Sequence, residues 1–491
     1  MDSSTSQNIF DVYDFGAKGD GKILDTQAVQ SAINAANQAG GGRVVFHIGR
    51  FLCGTFDLKS DVELHLVKDA VLLGSVNRDD YRMGSMHSLI LANGQKNIAI
   101  TGEGTIDGQG RELAQDVVTK WKAGLYGPPT HPAWRPGEGL RPQLIEFTSC
   151  KNVLIEDVML KDASCWVQTY DRCEDLTIRR VTVRSTAYWN NDGIDIVDCT
   201  NALVEDCDVD AADDGICLKS HHAGCCCDNV TVRNCRVRSS ASAVKFGTAS
   251  YGGFRNVVVN NIEVFDTFRS AIALEIVDGG HLENVHVKGI RARNTGNAIF
   301  MRLGHRNVDG EVGLFKNVVI EDMDVYIPEG KPDKGYEIEG PPEPDVTNVV
   351  PSCIVGLPSH PIKDVTLRNI TLTYEGGGSR VVAEVPLDDL DRVPQSPAMY
   401  PEFSMFTELP AWALFVRDVE GLKMENVRIR FEKHDYRAAM VFDQVQGLSL
   451  EQIHVESAGE EPILVFRNAP GASLINCPEP KGAKEFMRVI R

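Results

Sequence analysis

From Asn152 onward the chain alternates apolar and polar positions in short bursts, and the bursts recur. "NVLIEDVML" from Asn152 is followed by "DLTIRRVTV" from Asp175, "NALVEDCDV" from Asn201 and "NVTVRNCRV" from Asn229. The series runs on through "NVVVNNIEV" from Asn256, "NVHVKGIRA" from Asn284 and "NVVIEDMDV" from Asn317, with later copies "DVTLRNITL" from Asp364 and "GLKMENVRI" from Gly421. Successive starts from Asn152 to Asn284 are 23, 26, 28, 27 and 28 residues apart. Alternation with a period of two predicts strands, with Val153 and Ile155 pointing inward and Leu154 and Glu156 outward. One β-rich unit cannot cover its own apolar face, so units repeated at this period must stack. The pattern predicts an all-β solenoid, a parallel β-helix; a β-propeller is the alternative, although its blades are usually longer. The Asn or Asp opening each unit predicts a turn that uses left-handed backbone or local side-chain bonds, and stacked copies predict an asparagine ladder.

The ends of such a stack need caps over their open sheet edges. "DTQAVQSAINAANQAGGGRVVF" supplies one: Ala28, Val29, Ile33 and Ala36 follow helical spacing, Asp25-Thr26 offers N-cap chemistry, and Gly40-Gly41-Gly42 ends the helix before a strand. The reading is one domain over residues 1–491, with a cap over about 8–50 and coils over about 51–480. The period breaks near 327–351 and again near 384–410, two Pro-rich insertions on the coils. Long loops on a rigid scaffold often build a binding site; the alternative is a solvated insertion without function.

Composition then narrows the function classes. The 491 residues are 43% hydrophobic, enough for a large core, and the formal net charge is −19. That charge argues against nucleic acid and against an anionic membrane surface as partners. No apolar run approaches the roughly 20 residues of a membrane-spanning helix. "MDSSTSQNIF" carries no basic segment followed by an apolar core, and 13 scattered cysteines do not resemble a secreted disulfide framework. A cytoplasmic location is therefore favoured, an extracytoplasmic one being the alternative if a leader has been removed. Cys225-Cys226-Cys227 lacks the spacer usual between zinc ligands and reads as a crowded turn of free thiols, and Cys207, Cys217 and Cys235 read as small core residues. No metal and no cofactor is implied, and the sequence says nothing about oligomeric state.

The candidate chemistry lies in "WNNDGIDI", Trp189–Ile196, and "AADDGICLKS", Ala211–Ser220. Asp192 and Asp213 stand close to one coil apart, which puts them on adjacent coils about 5 Å apart along the axis. Side-chain geometry could widen that to the roughly 6.5–9.5 Å that an inverting pair of carboxyl groups needs for a water between them. With Asp214 as a third carboxylate, mutual repulsion favours keeping one member protonated. Parity alone leaves open which acids face outward, since Gly193 and Gly215 suggest local breaks in the strands. Turn caps or a solvated acidic face are the plain alternative, and a calcium site of the pectate lyase kind is a third.

Three stretches resemble known families. "DFGAKGDGKILDTQAVQSAI" is similar to an N-terminal signature of right-handed parallel β-helix proteins, among them glycosidases, lyases and phage tailspikes. "SCWVQTYDRCEDLTIRRVTVRSTAYWNNDGIDI" and "ADDGICLKS" resemble the polygalacturonase family, glycoside hydrolase family 28, with its Asn-Thr-Asp and Asp-Asp motifs. The resemblance covers most of the chain. It implies hydrolysis of a glycosidic bond with inversion, Asp213 as general acid, and Asp192 and Asp214 holding and deprotonating water. The partner it implies is an oligosaccharide or polysaccharide, pectin-derived or related, with exo action expected from the two insertions.

This sequence also departs from the family's pattern. The family's Gly-His-Gly aligns with "SASAVKFGT", which places Ser242 at the histidine; His221 or His222 could substitute. The family's Arg-Ile-Lys, which grips the substrate carboxylate, aligns with Ala273–Glu275, where Glu275 would repel a uronate. Lys245, Arg302, His305 and Arg306 are the candidate replacements, Arg302 first, and Trp166 could stack on a sugar or pack in the core. The residues expected to bind substrate are thus Asn190, Lys219, His221, Lys245, Glu275, Arg302, His305 and Trp166. The runner-up enzyme is a uronate lyase; the non-enzyme alternative is a carbohydrate-binding β-helix of the tailspike kind.

Overall fold

The computed structural model describes residues 8–127, 136–333, 335–336 and 347–490. The chain divides into two compact units, Met1–Ile216 and Cys217–Arg491. Each is built from parallel strands one coil apart, and the fold is the right-handed parallel β-helix.

In the first unit, identical positions of successive coils fall in register. Leu64, Ile100, Ile155, Ile178 and Val204 form one continuous inward row. All five are fully buried. Val153 and Ile155 point inward as the alternation predicts, while Leu154 and Glu156 are only half-buried. The helix α1, Thr26–Gln38, buries Ala28, Val29, Ala32, Ile33 and Ala36 and packs beside Ile9–Asp11 and Gly42–Phe46. Asp25 stands at its N-cap position, but its carboxylate does not cap the helix. It accepts instead from the main-chain N–H of Lys18 at 2.6 Å and Gly19 at 3.0 Å, closing the preceding loop. Gly40 and Gly41 adopt φ of 85° and 121°, which terminates the helix where the three glycines predict. A second helix, α2, Gly110–Lys122, was not anticipated by the β-repeat; Leu113, Ala114, Val117 and Trp121 form its buried stripe.

In the second unit the inward row runs Val230, Val257, Val285, Val318, Val365 and Leu422. The residue opening each repeat is left-handed, with φ of 53° at Asn256, 58° at Asn284 and 57° at Asn317. The ladder is present: Asn284 donates to Asn256 at 3.0 Å and Asn317 to Asn284 at 2.6 Å, and in the first unit Asn152 donates to Asn97 at 2.8 Å. Five residues further on, in the polar pair, lies a second ladder that the sequence pattern did not reveal. There Asn261 donates to Asn234, Asn369 to Asp322 and Asn426 to Asn369, each at 2.9 Å, all from left-handed residues. Cys207, Cys217 and Cys235 are buried, Cys225 and Cys226 are half-buried, and none of the five is in a disulfide.

Of the insertion near 327–351, residues 334 and 337–346 lie outside the described residues. The insertion over 384–410 is not a solvated loop. It lays Leu387, Leu390, Val393, Phe403, Met405, Phe406 and Leu409 over an outer row of the sheet formed by Phe300, Cys353, Phe415, Val441 and Val465. A second apolar core results, on the opposite face of the strands from the axial row. Phe406 is fully buried, with its ring 6.5 Å from that of Phe300. Phe406→Ala is expected to cost about 3–5 kcal/mol of this unit's stability in urea unfolding. A loss below about 1 kcal/mol would show that the insertion does not depend on this packing.

Candidate active site

The acids lie at one corner of the first unit's coils. Asp192 follows the strand Thr182–Ser185 and precedes Ile194–Val197; Asp213 and Asp214 follow Asp208–Ala211 on the next coil. Main-chain bonds lock the two turns together. Gly193 N–H donates to Asp214 O at 2.9 Å and Ile194 N–H to Gly215 O at 3.1 Å, while Asp192 O accepts from Val167 N–H at 2.9 Å. The stacked pair is therefore Asp192 and Asp214. Their carboxylate oxygens lie within 4.8 Å of each other, and both residues are 4% exposed. Asp213 is half-buried beside them. Its Oδ1 accepts from Asp214 N–H at 3.0 Å and its Oδ2 faces Asn190 Nδ2 at 3.4 Å.

The flanking residues explain why the chain turns here. Asn191 is fully buried and staples the corner: its Oδ1 accepts from Tyr188 N–H, and its Nδ2 donates to the carbonyls of Ala163 and Cys165 at 2.9 and 2.7 Å. Asn190 is left-handed at φ 57°. Gly193 has no room for a side chain, since a Cβ there would lie 2.5 Å from Gly215 O and 2.6 Å from Val209 Cγ1. Trp166 is half-buried next to Val167, on the coil preceding Asp192. A fully buried arginine, Arg141, reaches the same turn through the Trp189 carbonyl and the Asn190 side chain. Sequence reasoning missed it, because a lone arginine ahead of a strand carries no pattern.

Residues 48–320 match the family model for glycosyl hydrolases family 28. The chain belongs to this family. A grape (Vitis vinifera) relative described as a probable polygalacturonase is 28% identical over 322 residues, 59% of this chain and 61% of that protein. An exo-poly-alpha-D-galacturonosidase of Dickeya chrysanthemi is 37% identical over 127 residues, 22% of this chain and 21% of that enzyme. The chain thus spans less than two thirds of either relative. Among solved structures, a hyperthermoactive exopolygalacturonase from Thermotoga maritima superposes with a TM-score of 0.62 at 23% identity. That superposition covers 86% of this chain and 91% of the other, a likeness of fold.

The remaining family-derived positions lie in the second unit, and their surroundings differ from the expectation. Arg302 is fully buried. Its Nη1 donates to Gly356 O and its Nη2 to the carbonyls of Gln395 and Ser396, with the guanidinium over the Phe406 ring. Burial holds its pKa down at about 10, so the cost of the buried charge is met by main-chain oxygens of the insertion. This corrects the view of Arg302 as the leading partner of a substrate carboxylate: its donors tie the 384–410 insertion to the coil. Arg306 forms a two-pronged ion pair with the buried Asp278 at 2.9 and 2.7 Å. His305 is half-buried, with Nε2 3.0 Å from Gly310 O, and His221 is exposed. Glu275 is 1% exposed and accepts from Thr248 Oγ1 at 3.3 Å; Ser242 is buried. Lys219 is 7% exposed with Nζ 3.1 Å from Cys217 Sγ. Lys245 is 2% exposed and donates to Tyr400 Oη at 3.1 Å. Tyr400 belongs to the insertion, as does Glu402, which pairs with the buried Arg269 at 2.9 Å. Neither contact was readable from the sequence, because the insertion has no period to align.

The locked corner yields a prediction. Gly193→Ala must push apart the two turns that carry Asp192 and Asp214. Because displacement of about 1 Å can cost about 100-fold in rate, kcat is expected to fall on that scale in steady-state assays. Parent-like turnover would mean the acids' spacing is not set by this contact.

Proposed function

We propose that this protein is an inverting glycoside hydrolase that removes sugars from the end of a pectin-derived, uronate-containing chain. The observation that carries the reading is the stacked pair Asp192 and Asp214, nearly buried with oxygens within 4.8 Å, beside the half-buried Asp213. Two carboxylate oxygens at that spacing can both accept from one water at ordinary hydrogen-bond lengths; the role of Asp213 as the acid opposite them comes from its match to the family's Asp-Asp motif, and inversion requires about 6.5–9.5 Å between acid and base.

In this reading Asp192 and Asp214 orient a water and one of them takes its proton as the water oxygen bonds to the anomeric carbon. The bond from that carbon to the leaving oxygen breaks, and the electron pair leaves with that oxygen, which receives the proton of Asp213. Asp213 ends ionised, and the proton held by the pair returns through solvent. Asn190 and Trp166, on the unit that carries the acids, are the proposed substrate contacts. Exo action is supported by the well-packed 384–410 insertion, an ordered body rather than a mobile loop, and by the family's exo-acting relatives.

Asp213→Asn is expected to reduce kcat on a natural oligosaccharide by about 10²–10⁴-fold, with the melting temperature retained. Proton NMR of the first turnovers of the parent enzyme should show a product of opposite anomeric configuration. Near-normal turnover in the variant would remove Asp213 from the acid's role, and retained configuration would remove the mechanism.

Time courses on polymeric substrate check the exo reading separately. Short products should accumulate from the start while viscosity declines slowly. An early collapse of viscosity would establish cleavage within the chain.

A further inference from the structure

We propose that Arg141 is a positioning residue for Asp213, acting through the side-chain amide of Asn190; the proposal rests on the hydrolase reading above. Arg141 lies just ahead of the strand Gln143–Thr148 and is fully buried. Its hydrogen bonds go to two main-chain carbonyls, Ser164 at 2.9 Å and Trp189 at 2.6 Å, and to Asn190 Oδ1 at 2.7 Å. None goes to a carboxylate, and its Nε has no hydrogen-bond partner among the described residues. A buried guanidinium answered by three neutral oxygens and the face of the Tyr188 ring, 5.2 Å away, but by no carboxylate, is a costly structural device. Its position, one side chain away from Asp213, gives the charge something to do.

An amide side chain has a donating end and an accepting end, and a guanidinium accepts nothing. By donating to Oδ1, Arg141 decides which end of Asn190 points where. Nδ2 is left facing Asp213 Oδ2 at 3.4 Å. Turned the other way, the amide would offer an oxygen to Asp213, and that oxygen would accept the acid's proton and hold it away from the sugar. In the observed orientation Asn190 turns its donor, not its oxygen, toward that proton. The amide donor is already in place for the negative charge that appears on Asp213 when the proton leaves. The contact is long in the resting site and shortens as that charge develops, so its benefit falls on the transition state more than on bound substrate. The left-handed backbone of Asn190, which asparagine adopts more readily than most residues, places the amide between the two partners.

The test separates orientation from simple support of the turn. Asn190→Asp keeps an acceptor for Arg141 but removes the donor that faces Asp213. Its melting temperature is expected to equal or exceed the parent's, while kcat falls about 10–100-fold, a larger change than any in KM. Arg141→Lys should lower kcat in the same way. Combined with Asn190→Ala, it should add almost nothing to the loss from Asn190→Ala alone, because the arginine acts through that amide. Losses in kcat that multiply would overturn the proposal, as would parent-like kcat in Asn190→Asp. Should Arg141→Lys fail to fold, Asn190→Asp decides alone. Asp213→Asn, measured in the same series, keeps the two readings apart. If it retains turnover, the hydrolase assignment falls; if it is inactive while the Arg141 cycle is additive, only the role of Arg141 falls.

Discussion

Everything in this protein depends on the parallel main-chain hydrogen bonding that sets successive coils one strand spacing apart, about 4.8 Å. With that spacing imposed, side chains at equivalent positions must stack on their own kind. Valine and isoleucine rows fill the axis, as in Val230, Val257, Val285, Val318 and Val365. Asparagines at the corners become ladders, because each amide finds the next one within hydrogen-bond reach. Stacking of neighbouring turns also brings two aspartates together, with carboxylate oxygens less than 4.8 Å apart. In water such a pair would drift apart by repulsion. Here the bonds from Gly193 to Asp214 and from Ile194 to Gly215 hold the turns that carry them.

Polar groups that the stacking buries are answered locally, and much of the unusual chemistry follows from how. Asn191 spends its amide on the corner that presents Asp192. Arg302 and Arg141 both answer main-chain carbonyls, with different consequences. Arg302 anchors an insertion, and Arg141 ends on the side chain that faces an acid. The insertion over 384–410 shows the complementary solution for apolar surface. It covers an outward-facing row that the coil alone would leave exposed to water. In doing so it carries Tyr400 to Lys245 and Glu402 to Arg269, so one packing event also brings polar groups to the coils.

The repeat, the inward rows, the capping helix and the asparagine corner were legible because each is a local pattern that recurs. Asp25 shows where local reasoning stops: its position is that of an N-cap, yet its carboxylate is taken by Lys18 and Gly19. The second ladder was hidden because its positions vary among Asn, Asp, Arg and Gly, so no single letter marks every copy. The helix Gly110–Lys122 was hidden because it interrupts the β-repeat once and has no second copy to compare.

The sequence by itself determined the architecture, the three acids worth examining and the family to which the chain belongs. These are properties of spacing and residue type, and a period repeated along the chain carries them redundantly. Which two acids stack, which arginine is committed to carbonyls and which amide end faces Asp213 were decided only by the tertiary structure. Each of these depends on where a side chain's few hydrogen bonds are spent, and the competing partners lie 23 to 94 residues away in sequence. A buried donor takes the nearest oxygen the packing offers it, and no local pattern records which oxygen that will be.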